Sequence, residues 1–306
     1  MSKLNKKTET SIELIGRELE IEQIAACIKT GRSVLLEGPV GSGKTHLALS
    51  AIKQLKKNTY RVDGDSRYSE QKLTGWFDPP SVIKSGYSEK SFIAGPLTQA
   101  MKTGSILFIN ELNRLPEGVQ NILLPAIDEK QITIPRLGSI RAKEGFSIVA
   151  TQNPKEFVAT SHLSEALLDR FELLVIHYQS FEEEFLIVKN TLQKNFRNIK
   201  NQALVSEAAV KITRQTREHP KIKRGASVRA AIAIAELTCI FLTEKKPLSD
   251  ALRLAVRLAL PTRIELDPSI QEEGSLQEGL SLLLQELLES TLQDLKIEPS
   301  DEKKNF

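Results

Sequence analysis

The stretch SVLLEGPVGSGKTHLALSAI, residues 33–52, decides the fold. It opens with a short, nearly continuous apolar run, the mark of a buried strand, and ends at the start of a helix. Between the two run Gly38, Pro39, Val40, Gly41, Ser42, Gly43, Lys44, Thr45 and His46, in which Gly38, four residues and then Gly43-Lys44-Thr45 form a phosphate-loop pattern in its proper strand-to-helix setting. Gly41 and Gly43 let the backbone fold tightly, so that successive N–H groups and the helix N-terminus face phosphate oxygens. Lys44 then reaches the β- and γ-phosphates, and Thr45 offers its hydroxyl to Mg²⁺. A merely structural glycine turn would require neither the lysine nor the hydroxyl. The expected ligand is a nucleoside triphosphate.

Outward from this stretch, the apolar runs at 59–63, 106–110, 146–150 and 171–176 also read as buried strands, with helical segments between most of them. That alternation predicts an α/β domain over 12–180, a parallel sheet between two layers of helices. After about residue 179 the apolar residues recur only at helical spacing, which predicts an all-helical domain over 181–295 and a polar, frayed tail over 296–306. Within residues 116–130 an apolar helical face, Val119, Ile122, Leu123, Ala126 and Ile127, is interrupted by Pro125, so the helix should be distorted there. Residues 131–142 read as a hairpin around Leu137-Gly138.

Composition narrows the function. With 42 Lys and Arg against 39 Asp and Glu, the formal charge of +3 is too small for the phosphate-backbone grip of a dedicated nucleic-acid binder. Cys27 and Cys239 sit apart in helical patterns, which suits a reducing cytoplasm, and His46, His162, His177 and His219 lack metal-ligand spacing. No apolar run approaches a membrane span and no export signal is legible. Any metal is expected to arrive with the nucleotide.

The run ILFIN, 106–110, delivers Asn110 and then Glu111 to a strand end. Glu111 is placed to orient a water for attack on a γ-phosphate, a task that needs a carboxylate acceptor. Asn110 stands where an aspartate usually helps to hold the cation. An amide keeps an acceptor oxygen but forgoes one charge, worth on the order of several kcal/mol at ~5 Å before compensation by solvent and triphosphate. The polar strand end equally reads, for Asn110 alone, as a cap on the sheet.

Six segments in order, LIGRELEIEQI, GPVGSGKT, LFINELNRLPEGVQNILLPAIDEKQITIP, ATQNP, SEALLDRFEL and RGASVRA, resemble the successive signatures of the MoxR family of AAA+ ATPases. The likeness covers about Leu14 to Leu260 and departs from the family at Asn110, at Pro125 and at Val228, where proline is usual. It implies an AAA+ phosphate-loop domain with a helical lid that hydrolyses ATP with Mg²⁺ at the interfaces of a homo-oligomeric, hexameric ring. Chaperone-like remodelling, activation or metal insertion in a client protein would follow. A shape-changing switch that binds ATP with little turnover is the alternative that Asn110 raises.

Residue by residue, the resemblance implies Ile15 and Gly16 near the adenine, Asn153 sensing the γ-phosphate or positioning the attacking water, Arg170 as a finger reaching a neighbouring subunit's nucleotide, and Arg229 touching phosphate from the lid. Read from the sequence alone, Arg170 also suits a helix cap or a partner for Asp169, Arg229 a surface position, and Asn153 a turn before Pro154. The family also implies a hairpin insert at 76–96, whose Trp76, Phe77 and Phe92 are candidates for partner contact or for packing, and a separate partner bearing a von Willebrand factor A domain.

Overall fold

Five short runs of apolar residues become the strands of one parallel sheet. A computed structural model describes residues 14–153, 163–267 and 276–298. In chain order the strands are β1 (Ser33–Glu37), β2 (Thr59–Asp63), β3 (Gly75–Phe77), β4 (Phe92–Ala94), β5 (Ile106–Asn110), β6 (Gln131–Ile134), β7 (Gly138–Arg141), β8 (Ser147–Gln152), β9 (Phe171–Val175), β10 (Ile222–Arg224) and β11 (Glu265–Leu266). The main sheet has the order β2-β5-β8-β1-β9, and each of its neighbouring pairs is parallel. Central β8 is buried along its whole length, whereas the edge strands β2 and β9 alternate or expose residues, as an edge must.

Alternate side chains of this sheet feed two separate cores. Leu35, Leu107, Ile109, Ile148 and Ala150 join one, while Val34, Leu36, Ile106, Phe108 and Val149 join the other. The second core is closed by Ile24 and Ile28 of helix α1 (Glu18–Lys29) and by Leu47, Ala48, Ala51 and Ile52 of α2 (Lys44–Gln54). The first is closed by Leu73 of α3 (Glu70–Thr74), Leu97 and Met101 of α5 (Pro96–Thr103), Val119 of α6 (Glu117–Asn121) and Leu123 of α7 (Leu123–Asp128). The expected three-layer arrangement is present. Burying a side chain the size of Leu or Phe contributes roughly 1.5–3 kcal/mol, so these two cores are what hold the strand ends in register.

The break expected near Pro125 falls one turn earlier. Helix α6 stops at Asn121 and α7 begins at Leu123, because a proline ring at 125 presses on the carbonyl four residues back and offers that carbonyl no donor. The 76–96 insert is a hairpin, β3 against β4 with Trp76 opposite Ile93, and its connection carries a short helix α4 (Pro79–Ser85) that Asp78 caps through Ser81 N at 3.1 Å. Phe77 packs edge-on against Tyr87 and Phe92, with ring centroids 5.0 and 5.2 Å away, so Phe77 and Phe92 are packing residues while Trp76 is exposed. The hairpin β6–β7 is present, but its turn runs through Pro135, Arg136 and Leu137, just ahead of the expected place, and Gly138 already pairs with Ile134.

The chain divides into two compact units, Met1–His177 and Tyr178–Phe306. Helix α8 (Glu165–Leu168) closes the first unit's helical inventory among the described residues. The second unit is built from α9 (Phe181–Asn195), α10 (Gln202–Glu218), α11 (Val228–Thr243), α12 (Leu248–Ala259) and α13 (Leu276–Asp294) around their own core, with a two-stranded ribbon, β10 against β11, added to the helices. Most of the tail expected to fray, 299–306, and the proline after Asn153 lie outside the described residues.

Candidate functional site

The C-terminal ends of adjacent parallel strands deliver the residues singled out above to one edge of the sheet. Gly38 follows β1, Glu111 follows β5 and Asn153 follows β8; the registers Glu37 with Gln152 and Ile109 with Ala150 set the three ends side by side. Gly43, at φ 89°, is the left-handed N-cap of α2, a conformation that strongly favours glycine and turns the chain into the helix. Lys44 reaches back over the loop, its Nζ donating to Gly38 O at 2.7 Å and Pro39 O at 2.8 Å. Ser42 closes the turn on Pro39 O through its hydroxyl. Pro39, Gly41, Thr45 and His46 are partly exposed and Val40 is exposed, so the loop surface is open to solvent. Burial lowers the His46 pKa and favours neutral imidazole beside the loop.

Asn110 is the hub of the polar network. Its Oδ1 accepts from Thr45 Oγ1 at 2.8 Å and from Thr151 Oγ1 at 3.1 Å, while its Nδ2 donates to Asp63 Oδ1 at 3.2 Å. A carboxylate only accepts, so the contact to Asp63 fixes which end of the amide is nitrogen and leaves the oxygen facing Thr45. Thr45, Thr151 and Asn110 supply neutral oxygens, the hard donors that suit Mg²⁺. Among the described residues no three His, Cys, Asp or Glu gather at one point. With triphosphate oxygens completing its shell a divalent cation would fit this donor set, and Thr45 and Asn110 are the side chains that could hold it.

Glu111 leaves the strand in a left-handed conformation, φ 56° and ψ 57°, which costs a non-glycine residue on the order of 1 kcal/mol. Two contacts hold it there. Its N–H donates to Thr151 Oγ1 at 3.0 Å, and Gly64 packs so close that a Cβ at 64 would lie 2.1 Å from Glu111 O. The half-exposed Glu111 carboxylate pairs with Arg114 at 2.8 Å. Asn153 is buried, and its carbonyl accepts from Asn113 Nδ2 at 3.3 Å. Ile15 and Gly16 enter next to Arg17, whose guanidinium donates to His177 O at 2.6 Å and Ser42 O at 3.5 Å and so ties that segment to the loop.

Arg170 stands elsewhere. Arg170 immediately precedes β9, and Ser33 at the start of β1 is in register with Phe171, so Arg170 lies at the sheet edge opposite the phosphate loop, a strand length of about 17 Å away. Its Nε donates to Asp128 Oδ2 at 2.6 Å, not to the neighbouring Asp169, and it also caps the carbonyl of Ala166. Arg229 belongs to the second unit and is exposed in the first turn of α11. Asp63, Thr151, Arg17 and Gly64 escaped the sequence reading. Asp63 and Arg17 carried a readable hint, since Asp63 ends a strand just before a glycine and Arg17 follows Gly16.

A parallel sheet of order β2-β5-β8-β1-β9 with a glycine loop between β1 and α2 defines a phosphate-loop nucleotide-binding domain. Residues 33–171 match the model of the AAA domain, dynein-related subfamily. A Staphylococcus epidermidis (strain ATCC 12228) protein is 30% identical over 230 residues, covering 73% of this chain and 84% of that one. The Bacillus subtilis (strain 168) protein YeaC is 28% identical over 288 residues, covering 86% and 87%. Both relatives are uncharacterized proteins. In fold the chain is similar to Thermotoga maritima RuvB, a Holliday junction branch migration motor, with a TM-score of 0.52 at 21% identity over 80% of this chain and 70% of that one. Residues 33–171 are thus an AAA domain of the dynein-related kind, and the chain belongs with the AAA+ ATPases. Among the described residues no helix is long and apolar enough to cross a membrane.

Proposed function

We propose that this chain is a MoxR-type, Mg²⁺-dependent ATPase that works in the cytoplasm as a homo-oligomeric ring, hexameric by resemblance. ATP hydrolysis at subunit interfaces would drive chaperone-like remodelling, activation or metal insertion in a client protein, with a separate von Willebrand factor A protein as partner. The observation that carries the reading is the convergence of loop, hydroxyl and carboxylate at adjacent strand ends, with Thr45 bonded directly to Asn110 at 2.8 Å. Loop amides and the Lys44 ammonium bind the triphosphate tail, in a setting where a charge-assisted hydrogen bond contributes about 1.5–3 kcal/mol. Thr45 and Asn110 hold the cation, which when bound neutralises phosphate charge.

Glu111 accepts the proton of the attacking water and orients it, a contribution typically of about 10²–10⁴-fold. Asn153, buried between the loop and Glu111, is the γ-phosphate sensor. Ile15 and Gly16 border the adenine. Arg170 faces away from its own loop, which supports a finger that serves a neighbouring copy, and a planar cation there stabilises charge on the transferring phosphoryl group. Arg229 is the lid's own contribution to phosphate.

A second reading, a switch that binds ATP and scarcely turns it over, is favoured by the amide at 110 and by the Glu111–Arg114 pair at 2.8 Å, which occupies the base. Phosphate release at varied protein and Mg²⁺ concentrations separates the two. The ATPase reading expects turnover that rises with protein concentration, falls at least about 10²-fold in Glu111→Gln, and is lost in Arg170→Ala with ATP binding kept. No turnover under any metal condition leaves the switch; turnover indifferent to Arg170 removes the finger.

A further inference from the structure

The negative charge that Asn110 lacks stands one strand away. Asp63 ends β2, its register partner across the parallel pair is Asn110, and the two side chains are hydrogen bonded at 3.2 Å. The amide therefore spans two groups: its nitrogen is held by the Asp63 carboxylate and its oxygen is turned toward Thr45 and Thr151. The arrangement is self-consistent because an aspartate at 110 would bring two carboxylates to hydrogen-bond distance, where like charges repel. Asparagine relieves that conflict and keeps one anion in the network.

We infer that Asp63 is a positioning residue for the cation of this site, acting through Asn110: it locks the amide with its oxygen toward Thr45 and supplies from β2 the negative field that an aspartate at 110 would supply directly. The inference rests on the ATPase reading of the loop. Polarisation along the chain from Asp63 to Asn110 strengthens the amide oxygen as a ligand, since hydrogen bonds in series reinforce one another. Arg61 limits the effect. Its guanidinium grips the same carboxylate, with Nη2 to Oδ1 at 2.7 Å, and both side chains are substantially exposed, so the field at the cation is partly cancelled and partly screened. The expected contribution to Mg²⁺-dependent affinity is accordingly modest, roughly three- to tenfold rather than the full worth of an unscreened charge.

The test measures ATP affinity by calorimetry with saturating Mg²⁺ and again in EDTA, for the full chain and for Asp63→Asn, Asn110→Asp and the double variant Asp63→Asn/Asn110→Asp, with melting temperatures of the ligand-free proteins alongside. Asp63→Asn should lose roughly three- to tenfold of the gain that Mg²⁺ gives and leave the EDTA affinity unchanged. The double variant, which carries the same charge moved onto β5, should recover the gain. Asp63→Ser repeats the measurement should the Asn variant fail to fold. Equal losses with and without Mg²⁺ would reduce Asp63 to a structural strut, and a wild-type Mg²⁺ response in Asp63→Asn, or a folded double variant without recovery, would overturn the inference. Absence of ATP binding by the wild-type chain in both buffers is a different failure, that of the nucleotide site itself.

Discussion

Replacing Gly64 by alanine probes the placement of Glu111 without altering any side chain of the site or the phosphate loop. Gly64 N donates to Asn110 O at 2.8 Å, so the residue sits flat against the end of β5. Its φ lies outside the left-handed region, and alanine is free to adopt the backbone; the obstacle is space. The added Cβ would lie 2.1 Å from Glu111 O, 3.0 Å from Glu111 C and 3.1 Å from Asn110 O, all of them backbone atoms that cannot swing away. Reaching an ordinary contact of 3.4 Å from 2.1 Å requires the Glu111 carbonyl to retreat by about 1.3 Å, and a shift of even ~1 Å at a catalytic group costs on the order of 10²-fold in rate. Overpacking of this kind lowers stability by about 1–3 kcal/mol. Steady-state phosphate release, calorimetric ATP affinity and urea unfolding of Gly64→Ala read the three effects. The expected result is a large loss of turnover with ATP affinity kept, because the phosphate loop is not displaced. Wild-type turnover and stability would refute the close packing, and an affinity that fell in step with the rate would refute its local reach.

Other parts of the molecule give independent checks. In the second unit the buried Glu184 carboxylate accepts from Arg217 at 2.8 Å and Arg214 at 3.4 Å, so Glu184→Ala removes the anion from two guanidiniums that keep the carbonyls of Ala226 and Gln179, and should destabilise that unit by about 1–3 kcal/mol in urea unfolding; a shift under about 0.5 kcal/mol would mean that solvent replaces the carboxylate without loss. Burial pushes the Cys239 thiol up to about 11, which leaves roughly one thiolate in a thousand at pH 8, so a disulfide reagent should spare Cys239 in the native chain and modify it once the unit unfolds. Equal native and denatured labelling rates at Cys239 would contradict its burial.

The sheet was largely legible because β1, β5 and β8 lie at its centre and must be apolar on both faces, and the loop was legible because a lysine and a hydroxyl at fixed spacing after a strand have few other uses. What the sequence hid is mostly adjacency. Asp63 and Asn110 are 47 residues apart, and only the strand order, β2 beside β5, reveals that the missing acid has a neighbour. The same holds for Arg170, whose distance from its own loop follows from parallel register and not from spacing along the chain. The ribbon β10–β11 escaped because strands of three and two residues are too short to show alternation. The helix α4 did leave a signal, Asp78 followed by two prolines and Ser81, a capped start with proline in the first turn that a Pro-rich loop conceals.

Nucleotide binding depends most on one contact, a triphosphate tail cupped by the loop between β1 and α2 with Lys44 as its ammonium. Calorimetric titration of ATP in saturating Mg²⁺ into the wild-type chain and into Lys44→Ala tests it directly. The expected result is saturable heat for the wild type and an affinity at least about tenfold weaker, or lost, for the variant. No heat with the wild type, or equal affinity in the two proteins, would contradict it.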